Sequence, residues 1–157
     1  MARANVRLDF DELKKLKERI MLYSDPSKMD EFLKSCAKEL AARLLAKVIK
    51  MTPVGQYPAG AGKTGGTLRR GWTSGQDSNA KNYADSLNVN KVGNDYVIEI
   101  INPVEYASYV EFGHRTRNHK GWVEGRFMLT ISEDEIRNAA PKILEKKLEN
   151  YLKGCFK

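Results

Sequence analysis

Nowhere in the 157 residues does an apolar run approach the roughly 20 residues that a bilayer-spanning helix needs, so no membrane association is expected. Histidine and cysteine are scarce, with two of each. Cys36 falls inside a helical pattern and Cys155 near the C-terminus. Neither has a Cys-x-x-Cys partner, so both are expected to be reduced thiols in a cytoplasmic product, with Cys36 a small apolar packing residue. His114 and His119 share one basic loop. With Glu111 they invite a metal reading, but no helical or Cys-rich spacing supports a closed site, and neither metal nor cofactor is expected. The same scarcity leaves no nucleophile, base and orienting group to assemble, and the acids read as surface charges, so an enzyme with catalytic residues is not expected. The opening Met-Ala-Arg-Ala-Asn-Val-Arg carries charge and no apolar core region, which argues against a secretory signal.

What is present is enough apolar character, 41% of residues, to bury a core at this length, and a single domain over residues 1–157 is expected. The formal net charge of +7 makes a polyanionic neighbour worth considering. The basic residues are nevertheless spread over all segments rather than gathered in a stripe, as on any mildly basic surface.

Asp9 followed by Glu12 opens a predicted helix over about 9–22, with Phe10, Leu13, Leu16 and Ile20 on one face. Asp25 and Pro26 then suit the cap and first position of a second helix over 26–51. Met29, Leu33, Cys36, Leu40, Leu44, Val48 and Met51 step along it by three or four. Thr52-Pro53 ends it, because the residue before proline avoids the helical region. Residues 53–66 are too rich in glycine and proline for regular structure. Gly62-Lys63-Thr64 imitates the end of a phosphate-binding loop. The glycine required five positions before Gly62 is instead Tyr57, and a long amphipathic helix stands where a buried strand is needed, so a nucleotide site is not expected.

From Thr67 the pattern reads as a strand, with Leu68, Arg70 and Trp72 on one side and Thr67, Arg69, Gly71 and Thr73 on the other. Ser74 to Lys81 reads as loop. Ala84 to Val92 and Tyr96 to Ile101 then form a hairpin about Gly93-Asn94-Asp95. Val97-Ile98 and Ile100-Ile101 are apolar on both faces, which predicts a central strand covered by helices or a neighbouring subunit. Towards the C-terminus Ser132 and Glu135 form a capping box for a helix over about 133–153. Pro141 is expected to kink or restart it; Ile143, Leu144, Leu148 and Leu152 make its stripe, and Gly154 ends it.

The chain is organised around Val104 to Gly113. Its apolar positions are too dense for a one-faced strand and too few for a free-standing helix, so a short, largely buried helical turn is expected, capped by Asn102, with Pro103 at its first position and Gly113 stopping it. Tyr106 and Tyr109 would share one side of it. The order Thr52-Pro53-Val54, then Thr67, Leu68, Arg69 and Trp72, then Tyr106 to Gly113, then Arg126 to Leu129, resembles the tail-component family of tailed bacteriophages. Residues 55–64 look like an insertion relative to it.

The resemblance implies a structural virion protein of the neck that completes the tail or joins it to the head. It would be made in the host cytoplasm and assemble as a homo-oligomeric, hexameric ring beside the connector and the tail tube or tail terminator. The fold expected is α+β, with N-terminal helices and a C-terminal helix on a small, mainly antiparallel sheet spanning about 67–131 and long exposed loops. Interface candidates are Trp72, Tyr106, Tyr109, Phe112, Arg115, Arg117, Trp122 and Arg126, with Trp122 the leading anchor. Lys63, Arg69 and Arg70 are candidates to face passing genomic DNA. The alternative is a basic nucleic-acid-binding protein whose 114–126 loop holds phosphates and stacks Trp122 on bases.

Overall fold

The computed structural model describes residue 18 and residues 21–76 and 78–154. The expected first helix, over 9–22, and Cys155 fall largely outside these; residues 21–23 are helical.

Helix α1 is Pro26–Met51. The Asp25 side chain accepts from the Ser27 N–H at 2.9 Å and Pro26 sits in the first turn, where its missing N–H costs nothing. The helix stops at Thr52, which turns extended ahead of Pro53. Ala41, Leu45 and Val48 are buried on one face, at spacings of four and three. Leu45 and Val48 are wholly buried, each stabilising the fold by about 1.5–3 kcal/mol. Burial pushes the Cys36 thiol above its ordinary value, in keeping with a packing role.

The expected strand from Thr67 is instead helix α2, Thr67–Gly71. A period of two would have placed Arg70 beside Leu68 and Trp72. A helical turn keeps those two apolar residues, four apart, on one buried face and leaves Arg70 exposed. The expected loop at 74–81 and the start of the following strand give way to helix α3, Ala80–Ser86. Asn79 caps it by accepting from the Asn82 N–H at 2.8 Å, and Tyr83 and Ala84 turn inward. These residues complete the core with Met128.

Strands β1 (Asn90–Val92) and β2 (Asp95–Val97) form the expected hairpin, with Val92 opposite Asp95 across Gly93-Asn94. Its second strand is short and lies at an edge, which corrects the expectation of a central strand through Ile101. Val97 and Ile101 are exposed, while Ile98 and Ile100 pack against the core. A short helix α4 (Ala107–Phe112) and a second hairpin, β3 (Gly113–Arg115) with β4 (Trp122–Glu124), follow. The fold is α+β as expected, though the strands among the described residues make two separate two-stranded ladders.

Helix α5, Met128–Lys153, begins before the expected capping box. Ser132 lies inside it, fully buried, donating to the Met128 carbonyl at 2.6 Å. The helix continues through the exposed Pro141, while Leu148 and Leu152 of its expected stripe remain exposed. α1 is the floor of the fold, packing against both α3 and α5.

Candidate interaction surface

Two polar knots hold the central turns. The first gathers on Thr52, whose hydroxyl donates to the Val48 carbonyl at 2.6 Å and accepts from the Trp72 indole N–H at 2.7 Å. Arg69 donates to the Thr52 carbonyl through Nε at 3.2 Å and Nη2 at 2.7 Å. Trp72 is only 3% exposed, so this expected interface residue is a core residue. Arg69 is likewise committed to the fold rather than to a solvent channel, whereas Lys63 and Arg70 are exposed. Asn102 does not cap α4. It pins α2 to the turn before α4, donating to the Leu68 carbonyl at 2.9 Å and accepting from the Val104 N–H at 3.2 Å. Pro103 lies outside the helix, which begins at Ala107.

The second knot is Glu111, 5% exposed. Its carboxylate accepts from the Leu129 N–H at 2.9 Å and from the Thr130 N–H and hydroxyl at 2.9 and 2.7 Å. These are orphan donors at the start of α5, where a negative charge also meets the positive end of the helix dipole. A carboxylate from another element thus does what Ser132 was expected to do. Sequence reasoning missed it because the partners lie 18 and 19 residues away. The signal present was an acid wedged between Val110 and Phe112 in an otherwise apolar turn.

Glu111, with Ala107 and Val110 packed against the core, forms the inner face of α4 and leaves its aromatic residues outward. Tyr106, Tyr109 and Phe112 are exposed, the last two by 59% and 61%, so the turn expected to be largely buried has one face on the core and one in solvent. Tyr109 stacks obliquely on His114, with ring centroids 5.8 Å apart. Gly113 passes under this surface with φ of +85°, and a Cβ there would meet the Val123 carbonyl at 2.5 Å. Trp122, 55% exposed, lies across the ladder from Arg115, and Val123 and Phe127 are exposed nearby in sequence. The expected long loop at 114–126 is therefore a hairpin. Its tip is closed by Thr116, which exchanges backbone and hydroxyl bonds with Gly121.

The structure brings Tyr109, Phe112, Arg115 and Trp122 together on α4 and the second hairpin, and carries Arg117 at the hairpin's tip. Tyr106 extends the surface to a groove of about 290 Å³ shared with Val54, Tyr57 and Val110. Among the described residues, Arg115, Arg117, Lys120 and Arg126 make no ion pair. Among the described residues, no group of His, Cys, Asp and Glu is arranged to hold a metal, and no helix is long and apolar enough to cross a membrane. Exposed aromatics interleaved with arginines are what a protein interface uses for affinity.

A family model described as "Bacteriophage HK97-gp10, putative tail-component" matches residues 14–113, well over half of the chain. The match takes in the Thr52, Thr67 and Tyr106 pieces and closes on Gly113, leaving the second hairpin and α5 beyond it. No curated protein and no solved structure matches the chain.

Proposed function

The chain belongs to the HK97-gp10-like family of bacteriophage tail components, and from that premise we propose that it acts at the neck, completing the tail or joining it to the head. The family implies a structural part that meets other virion proteins. In this reading copies close into a hexameric ring between the head connector and the tail tube, with tail terminator or connector proteins above and below. Recognition, not bond chemistry, is the mechanism: heterologous contacts close into a ring when the rotation between copies closes.

The observation that carries this reading is the exposed surface of Tyr106, Tyr109, Phe112 and Trp122. Four large aromatic residues standing in water are a cost that a partner surface removes. Light scattering after size exclusion tests it. A ring-sized species, or a monomer that assembles on extracted phage tails, is the expected result. A monomer that never joins tails contradicts it.

Arg115, Arg117, Lys120 and Arg126, which make no ion pair among the described residues, stand in the chain around Trp122 and favour a second reading, in which this segment holds nucleic acid. A mass that shifts on duplex DNA and falls back steeply with salt would establish that instead.

A further inference from the structure

The sequence spreads its basic residues over every segment, but the fold gathers several of them. Helices α1 and α5 lie against each other and leave a groove of about 660 Å³ along one side of the pair. Arg43 of α1 lines it together with Lys142, Lys146 and Lys147 of α5, with Asn138 and Asn150 towards its two ends. The other side of the same pair is an apolar groove of about 400 Å³, lined by Leu40, Leu44, Ile136 and Ala140. The lysines are therefore sorted to one side and do not coat both.

Elsewhere on these helices cations meet acids: Lys34 meets Asp30 at 2.7 Å, Lys47 meets Glu135, and Arg137 meets Asp134 at 3.1 Å. Lys142, Lys146 and Lys147 make no ion pair among the described residues, although Glu145 and Glu149 follow the first two by three positions on the same helix. The acid lining the groove, Glu39, is bound by Arg43 at 2.8 Å, and Asp85 of α3 by Lys81 at 2.6 Å. The groove thus carries a surplus of positive charge that the chain does not neutralise.

The residue types select the ligand. Lysine presents a compact charge on a flexible stem, suited to phosphates met from varying directions, whereas planar carboxylates favour arginine. Among the described residues no aromatic side chain lines the groove, so nothing there stacks an unpaired base. Lys142 and Lys146 stand one turn apart, about 6 Å along the axis, placed to meet phosphates in succession. These features fit the backbone of a duplex and carry no means of reading its bases. We propose that this groove tracks the phosphate backbone of duplex DNA through Lys142, Lys146 and Lys147. The role expected of Arg69, which is bound to the Thr52 carbonyl, passes to α5. The inference rests on the neck reading above, in which genomic DNA is the polyanion that passes the chain.

Fluorescence anisotropy of labelled duplexes of two unrelated sequences, titrated with the full chain over a range of salt, tests it. The wild type should bind both duplexes alike, and a single strand no more tightly. Lys142 and Lys146 are exposed, so Lys142→Glu with Lys146→Glu should leave the melting transition in place and weaken binding by roughly tenfold or more. Lys142→Arg with Lys146→Arg should keep the binding. Lys142→Ala with Lys146→Ala should lower the slope of log affinity against log salt by about two. Arg115→Glu with Arg117→Glu should leave duplex binding unchanged. A duplex affinity that ignores the α5 changes, one lost instead on the hairpin changes, or no binding even at low salt overturns the groove assignment. So does an α5 variant that binds duplex normally yet fails to enter tails, which would make the groove a contact for an acidic protein surface. The mass of the same proteins without DNA keeps the two ideas apart. A ring that binds no duplex overturns the groove and leaves the neck reading standing. A monomer that never joins tails overturns the neck reading, while the α5 changes still decide the groove.

Discussion

The two tryptophans mark two regions built on opposite terms. Around Trp72 every polar group is answered: the indole N–H meets Thr52, the Thr52 carbonyl meets Arg69, and Leu45, Val48 and Leu68 exclude water. Around Trp122 the apolar groups face outward and the arginines have no partner among the described residues. Glu111 and Gly113 join the two regions, the first tying α4 to α5 and the second letting the chain turn tightly into the hairpin. One region consumes its interactions within the chain, and the other holds them available.

The sharpest way to break the comparison is to truncate each tryptophan. Trp72→Ala should cost about 3–5 kcal/mol, because it opens a cavity in the packed core and strips the Thr52 hydroxyl of its donor. Urea denaturation measures it, and a change under about 1 kcal/mol would mean the core does not rest on this residue. Glu111→Ala comes next, at roughly 3 kcal/mol, since it leaves the Leu129 and Thr130 donors without their charged acceptor. Its unfolding midpoint should fall, with helical signal lost from the α5 start.

Gly113→Ala should cost about 1–2 kcal/mol or more, from the positive φ and from the contact with the Val123 carbonyl. A wild-type melting transition for that variant would show that the hairpin shifts freely on α4. Trp122→Ala should change stability by less than about 0.5 kcal/mol, as for an exposed position. Its effect is expected on assembly.

The smallest effect concerns pH. The hydrogen bond from Lys34, then that from the Tyr96 hydroxyl, hold the Asp30 carboxyl below its ordinary value of 3.8. A depressed folded value means the contribution is present above the unfolded value and is lost as pH falls through the folded one. Asp30→Asn should therefore flatten the acid limb of the stability profile below about pH 4, and only slightly, because the group is exposed to solvent. An unchanged acid limb would mean that the Lys34 and Tyr96 bonds do not favour the Asp30 carboxylate in the folded chain.

Much of this was legible before the structure. Asp25, Pro26 and the stepping apolar residues specify α1 locally, and Gly93-Asn94 specifies the first hairpin, because caps and turns act over a few residues. The misreadings share one cause. Leu68 and Trp72 fit a period of two or of nearly four, and only the position of Arg70 separates the two. Ser132 has the form of a cap, but Glu111, distant in sequence, reaches the orphan donors first. Trp72 and Trp122 look alike in composition, and what separates them is whether Thr52 and the core of α1 stand opposite. Contacts across the fold decide such cases, and no local pattern carries them. Of the interface candidates, Tyr106, Tyr109, Phe112, Arg115 and Trp122 are exposed and Trp72 is in the core, which burial alone separates; α4 had been expected to be largely buried.

The most direct test is incorporation into tails. The full chain carrying Trp122→Ala, shown by its melting transition to fold as wild type, is supplied in place of wild type during phage assembly. Purified tails are then probed for the protein. A folded variant missing from tails is the expected result, and a folded variant present at the wild-type level would contradict the claim that this surface is where the chain meets its neighbours.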